Sequence, residues 1–175
     1  MTAFQLNLFQ PDASTDPSDS LPFERGEMVN AYALSIAEIL RRVLGNEYWY
    51  NFEFPLQLLC NKGEHTFLPK ELWQFWVNSR LDITVMSTKL GENCRKACLL
   101  VECQSPFHDW PDAEQRDRMK ANIIRPTGIP LIYARYADYP RILKFWTDSA
   151  EEVFYNPFTG DGWEVLTRLI KNQCL

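Results

Sequence analysis

Two acidic residues stand inside stretches that otherwise read as buried strands. Asp82 lies in Leu81-Asp-Ile-Thr-Val-Met86, and Glu102, with Gln104, closes Ala97-Cys-Leu-Leu-Val-Glu-Cys-Gln104. A carboxylate in an apolar strand loses its hydration, and the loss is made good only by a cationic partner or a bound metal ion. Side chains alternate along a strand, so Glu102 and Gln104 are expected on one face with Cys98 and Leu100, and Val101 and Cys103 on the other. Joined by Asp82 from the neighbouring strand, they would form a set of hard oxygen ligands. Such a set suits Mg²⁺ or Mn²⁺ held through a few protein contacts and several waters. A cation held there would polarise a phosphoryl oxygen and lower the pKa of a bound water, the chemistry of phosphodiester hydrolysis. Asp82, Glu102 and Gln104 are therefore the candidate catalytic residues, with Asp82 and Glu102 as metal ligands.

Each residue has a plainer alternative. Asp82 could cap a turn or pair with Arg80. Glu102 could pair with Lys120 or Arg116 from the charged segment that follows, and Gln104 could simply end its strand. His108 could be a general base, a phosphate contact or a solvated loop residue. Cys94, Cys98, Cys103 and His108 match no standard zinc spacing, so the cysteines read as core thiols. No phosphate-binding glycine loop, dinucleotide fingerprint or nucleophile elbow is present.

The elements that must position these residues follow from periodicity. Between Glu27 and Leu44, Val29, Tyr32, Ala33, Ile36, Ile39, Leu40, Val43 and Leu44 recur at helical spacing, and Gly45 supplies the stop. Tyr48, Tyr50, Phe52 and Phe54 alternate with polar residues as in a half-buried strand, which Pro55 ends or confines to an edge. Leu56–Cys60 reads as a further strand and Pro69–Trp76 as a short helix. The two acid-bearing strands come next. Asp112–Ile124 is a charged helix with Asp112 as its N-cap, Gly128 its end, and 129–135 a strand. From Tyr139 onward the chain reads as helical in two pieces, broken by a loop over 156–162, the last helix starting at Trp163. The order helix, strand, acid-strand, acid-strand, helix, strand predicts an α/β fold with a mixed sheet covered on both faces.

Composition bounds the function. At 175 residues, with 46% hydrophobic and 14% aromatic content, the chain supports one well-filled core. Residues 1–26 read as a flexible lead-in, because Pro11–Ser20 is acidic, turn-forming and nearly free of apolar residues. A formal charge of −5 argues against indiscriminate coating of nucleic acid, yet leaves room for an acidic metal site beside local basic patches. No apolar run is long enough to span a bilayer and no secretory leader is visible. Five cysteines, mostly in apolar segments, fit reduced thiols and a cytoplasmic protein.

Asp82 followed by Glu102-Cys-Gln104, in the order of elements above, resembles the PD-(D/E)XK nuclease superfamily, the restriction-endonuclease-like fold with its αβββαβ core. The resemblance covers roughly residues 27–135. Within it, Glu102, His108, Arg116-Asp117-x-x-Lys120 and Gly128-Ile-Pro-Leu-Ile132 are similar to the small endonuclease domains related to very-short-patch repair enzymes. The resemblance implies a Mg²⁺- or Mn²⁺-dependent deoxyribonuclease, DNA as partner, and a possible homo-oligomer. It also implies a catalytic lysine where this chain has Gln104, a replacement that some active restriction enzymes share. Lys120 reaching back from its helix, or a second metal ion, would supply the missing charge. A glutamate on the first helix joins the metal site in some relatives, and Glu38 would serve here. His108, Arg116 and Lys96 are the expected nucleic-acid contacts. The alternative is a catalytically inactive member of the fold acting as a binding or assembly module.

Overall fold

Asn30 accepts the Ala33 N–H through its side-chain oxygen at 2.7 Å and so starts helix α1 (Ala31–Leu44), four residues later than the periodicity suggested. The computed structural model describes residues 29–63, 67–88, 96–105, 111–149 and 151–174. The lead-in 1–26, together with His65, Lys89, Cys94, Arg95 and His108, lies outside the described residues.

Strand β1 (Tyr48–Pro55) follows α1, with Pro55 on the sheet edge, where a missing N–H breaks no ladder. Leu56–Cys60 is not a strand. It forms a single turn, α2 (Leu56–Leu59), anchored because Leu56 donates its N–H to the Ser79 carbonyl and Cys60 accepts the Trp76 indole N–H at 2.8 Å. Helix α3 (Lys70–Asn78) leads into β2 (Arg80–Ser87), and β3 (Ala97–Cys103) follows. Helix α4 (Pro111–Ile124) runs into a 3-10 turn over Arg125–Thr127, which Gly128 closes in the left-handed conformation at φ 69°. Asp112 is inside the first turn of α4 rather than at its N-cap, because the helix already includes Pro111.

The largest correction concerns the chain beyond β4 (Leu131–Asp138). Residues expected as helix form β5 (Ile142–Thr147) and β6 (Glu152–Tyr155), and only α5 (Trp163–Cys174) is helical. Leu143, Phe145 and Thr147 are buried in alternation along β5, and Val153 and Tyr155 along β6. That period of two is the strand signal, and the aromatic richness of the segment masks it.

The six strands lie in sequence order, β1-β2-β3-β4-β5-β6, antiparallel except for the β3–β4 pair, which α4 bridges as a parallel crossover. One face packs Ile36, Leu40 and Val43 of α1 and Leu166, Leu169 and Ile170 of α5 against Ile83, Val85, Leu99, Val101, Ile132 and Phe145. The other is smaller: Leu56, Leu81, Leu100 and Ile124, with Phe75 and Trp76 from α3. The protein is thus a mixed α/β structure, a six-stranded sheet flanked by helices on both faces. A register shift between Val85 and Met86 offsets the start of β3. Cys98 therefore packs with Cys103 toward α1 and α5, not with Glu102 as strict alternation requires.

Candidate metal and phosphate site

The β2–β3 ladder pairs Ile83 with Val101 and goes no further toward the end of the sheet. One residue beyond, the Asp82 carboxylate replaces a ladder carbonyl, accepting the Cys103 backbone N–H through Oδ2 at 2.6 Å. Asp82 is thereby fixed against the peptide that follows Glu102. The parallel pairing holds β3 on its other side, with Glu102 opposite Tyr133, and the Gln104 N–H donated to the Ala134 carbonyl at 2.8 Å.

Glu102 turns away from the α1–α5 core toward α4 and is 3% exposed. Positions three apart on α4 share a face, and Asp117 and Lys120 both meet β3. Lys120 Nζ lies 2.7 Å from Glu102 Oε2, and Gln104 Nε2 donates to Asp117 Oδ2 at 3.0 Å. The expected pairing of Glu102 with the following helix is present, through Lys120. The second oxygen, Glu102 Oε1, is buried and has no hydrogen-bond partner among the described residues.

Burial pushes the Glu102 carboxyl up to about 8; Lys120 pulls it down, and the charges of Asp82 and Asp117 push it up further. Desolvation outweighs the ammonium, so near neutral pH this acid is poised between its two forms. Across the sheet, burial chiefly, then Asp82 and Glu102, hold the Cys103 thiol far above its ordinary value. It is no nucleophile.

Tyr32 packs on the α1 side of the sheet, within reach of the charges of Cys103 and Asp82. Its hydroxyl is buried without a hydrogen-bond partner among the described residues, its ring lies 5.1 Å from that of Tyr136, and burial first, then Cys103, Tyr136 and Asp82, raise its pKa. In the sequence it counted only as part of the apolar stripe of α1. A hydroxyl on an otherwise apolar stripe was the available signal.

Glu38 does not join. It is on the solvent side of α1, bonded to Arg41 at 3.0 Å, and α1 covers the opposite sheet face from Glu102. Lys96 does not join either. It is exposed just before β3, whereas Glu102 is at the far end, roughly 20 Å along an extended strand. Arg116 does: it lines a cleft of about 330 Å³ with Ser79, Arg80, Ser105, Asp117 and Lys120. On the other side of Asp117, a cleft of about 480 Å³ runs between Gln104, Arg118, Tyr133, Trp146 and Asp148.

Three of these groups have the oxygen chemistry that a small divalent cation uses. Glu102 offers an unsatisfied buried oxygen, Asp82 a carboxylate held by a single peptide N–H, and Gln104 a carbonyl oxygen whose amide nitrogen is already engaged. Among the described residues no three His, Cys, Asp or Glu side chains converge. A hard cation such as Mg²⁺ needs only one or two carboxylates and completes its shell with water or substrate oxygens. Among the described residues no helix is long and apolar enough to cross a membrane. Comparison of the chain with protein-family models, with curated proteins and with solved structures finds no match.

Proposed function

We propose that this protein is a metal-dependent phosphodiesterase acting on DNA, built on the αβββαβ core of the restriction-endonuclease-like fold. The observation that carries the reading is the buried Oε1 of Glu102, without a hydrogen-bond partner among the described residues, with a second fixed carboxylate, Asp82, close enough for its charge to act on it. An orphan oxygen in that setting costs about 1–3 kcal/mol, and a cation removes the cost. The order α1, three antiparallel strands, α4 and a parallel β4 supports the fold reading.

Asp82 and Glu102 would hold Mg²⁺ or Mn²⁺. When bound, the ion supplies Lewis acidity toward a phosphoryl oxygen. Lys120 takes the place of the lysine that Gln104 replaces. Its ammonium holds Glu102 at 2.7 Å and places positive charge beside the cleft where Arg80 and Arg116 would orient the phosphate backbone. Asp117 fixes the Gln104 amide so that its carbonyl faces the remaining task of ligation or water positioning. The reduced thiols of Cys60, Cys98 and Cys103 suit a cytoplasmic setting, and a homo-oligomer remains compatible with this reading.

Plasmid nicking with Mg²⁺ or Mn²⁺ tests the proposal. Wild type should nick, and Asp82→Ala and Lys120→Ala should fall by at least about a hundredfold. Equal background in all three contradicts it. One observation favours a second reading, a non-catalytic binding or assembly module: the Lys120–Glu102 pair already neutralises the acid without any ion. That reading predicts no Mn²⁺ heat that depends on Glu102.

A further inference from the structure

The row of residues that begins at Glu102 continues across the sheet. Glu102 pairs in register with Tyr133, Tyr133 with Trp146, and Trp146 with Glu152. One step along, Arg135 pairs with Lys144 and Lys144 with Phe154. The residues between them, Ala134, Phe145 and Val153, are buried toward α1 and α5, so both rows share the α4 side. Beyond α4 that side is open: Trp146 and Lys144 are half-buried and Phe154 is 53% exposed.

The rings are arranged rather than scattered. Tyr133 and Trp146 stack with centroids 5.5 Å apart and planes 19° off parallel. The Lys144 ammonium sits 5.2 Å from the Trp146 centroid and 6.0 Å from that of Phe154, and Glu152 holds it at 2.5 Å. With strands about 4.8 Å apart, Trp146 is roughly 10 Å from Glu102, a distance one to two nucleotides of an extended strand would cover.

We propose that this face is a stacking platform for unpaired bases, and that the substrate is single-stranded DNA or DNA with an unpaired stretch. Aromatic faces interleaved with cations receive splayed bases, whereas a duplex keeps its bases inside. Cations run along the path. Lys144 and Arg135 lie on the platform, Arg118 and Arg125 line the cleft of Tyr133 and Trp146 together with Glu114, Asp117 and Asp148, and Arg80, Arg116 and Lys120 line the further cleft with Asp117, where a backbone would pass. The aromatic row is continuous with the carboxylate pair. The inference rests on the nuclease reading for what happens to the strand, but not for its binding.

Fluorescence anisotropy of a labelled oligothymidylate and of a duplex of equal length, both in EDTA, separates the two. Wild type should prefer the single strand. Phe154→Ala and Trp146→Ala should each weaken it by roughly tenfold, while Trp49→Ala, exposed on the far edge strand, should not. Phe154 is exposed enough for its removal to leave folding intact, so that variant carries the test if Trp146→Ala unfolds. Absence of single-strand binding, preference for duplex, or insensitivity to both substitutions would overturn the platform. So would sedimentation showing a dimer that Phe154→Ala dissociates, since a second copy would then occupy the face. Binding that depends on Phe154 without metal-dependent nicking would remove the nuclease reading and leave the platform standing.

Discussion

The two faces of the sheet use the same strands to opposite ends. Toward α1 and α5, β3 presents Leu99, Val101 and Cys103 to an apolar core that also includes Ile36, Leu40 and Phe145. Toward α4, it presents Leu100 and then Glu102 and Gln104; α4 packs Ile124 in the cluster of Leu100 and meets the two polar residues with Lys120 and Asp117. The first face stabilises by burial alone. The second gives up part of that stabilisation to keep a carboxylate buried beside one ammonium, with its pKa raised chiefly by burial.

Substitutions should separate the two faces. The largest loss belongs to the first: Phe145→Ala should cost about 3–5 kcal/mol in urea denaturation, with little dependence on pH. On the second face, Lys120→Met leaves Glu102 without its cation and should cost about 3 kcal/mol at high pH. Its cost should shrink at about pH 6, where a protonated Glu102 no longer needs a partner, and equal cost at both values would break the contrast. Asp82→Ala leaves the Cys103 N–H without its acceptor and should cost about 1–3 kcal/mol, read from the same denaturation midpoints.

Glu102→Gln isolates the titration. The folded-state value, about 8, is above the ordinary 4.5, so the folded protein keeps a proton that the unfolded chain releases between them. That group's contribution is fullest below 4.5 and is lost as pH rises toward 8. The Gln variant should lack this decline and match or exceed wild type at alkaline pH, a difference that midpoints measured across the interval would resolve. The smallest effect is at Glu38. Its exposed pair with Arg41 should be worth no more than about 0.5 kcal/mol, and Glu38→Ala should leave Mn²⁺ binding unchanged.

How much of this was legible in the sequence follows the same division. A lone acid in an apolar strand is a conspicuous anomaly, so Asp82 and Glu102 could be read from the sequence, as could a partner for Glu102 on the following helix; the choice of Lys120 over Arg116 needed the structure. The β5–β6 hairpin could not be read so easily, because Lys144, Trp146 and Phe154 interrupt the alternation with large side chains on the open face. Glu38 came from the resemblance alone; it is outside the buried stripe of α1, and the structure leaves it on the solvent side, paired with Arg41. Tyr32 was hidden by its ring: only the fold shows that its hydroxyl is buried and within reach of the Cys103 and Asp82 charges.

Calorimetric titration with Mn²⁺ at about pH 7, for wild type, Asp82→Ala and Glu102→Gln, tests the shared cation site most directly. Wild type should show a saturable heat with release of a proton from Glu102, and both variants should lose it. A heat that survives in either variant, or none in wild type, would contradict the account.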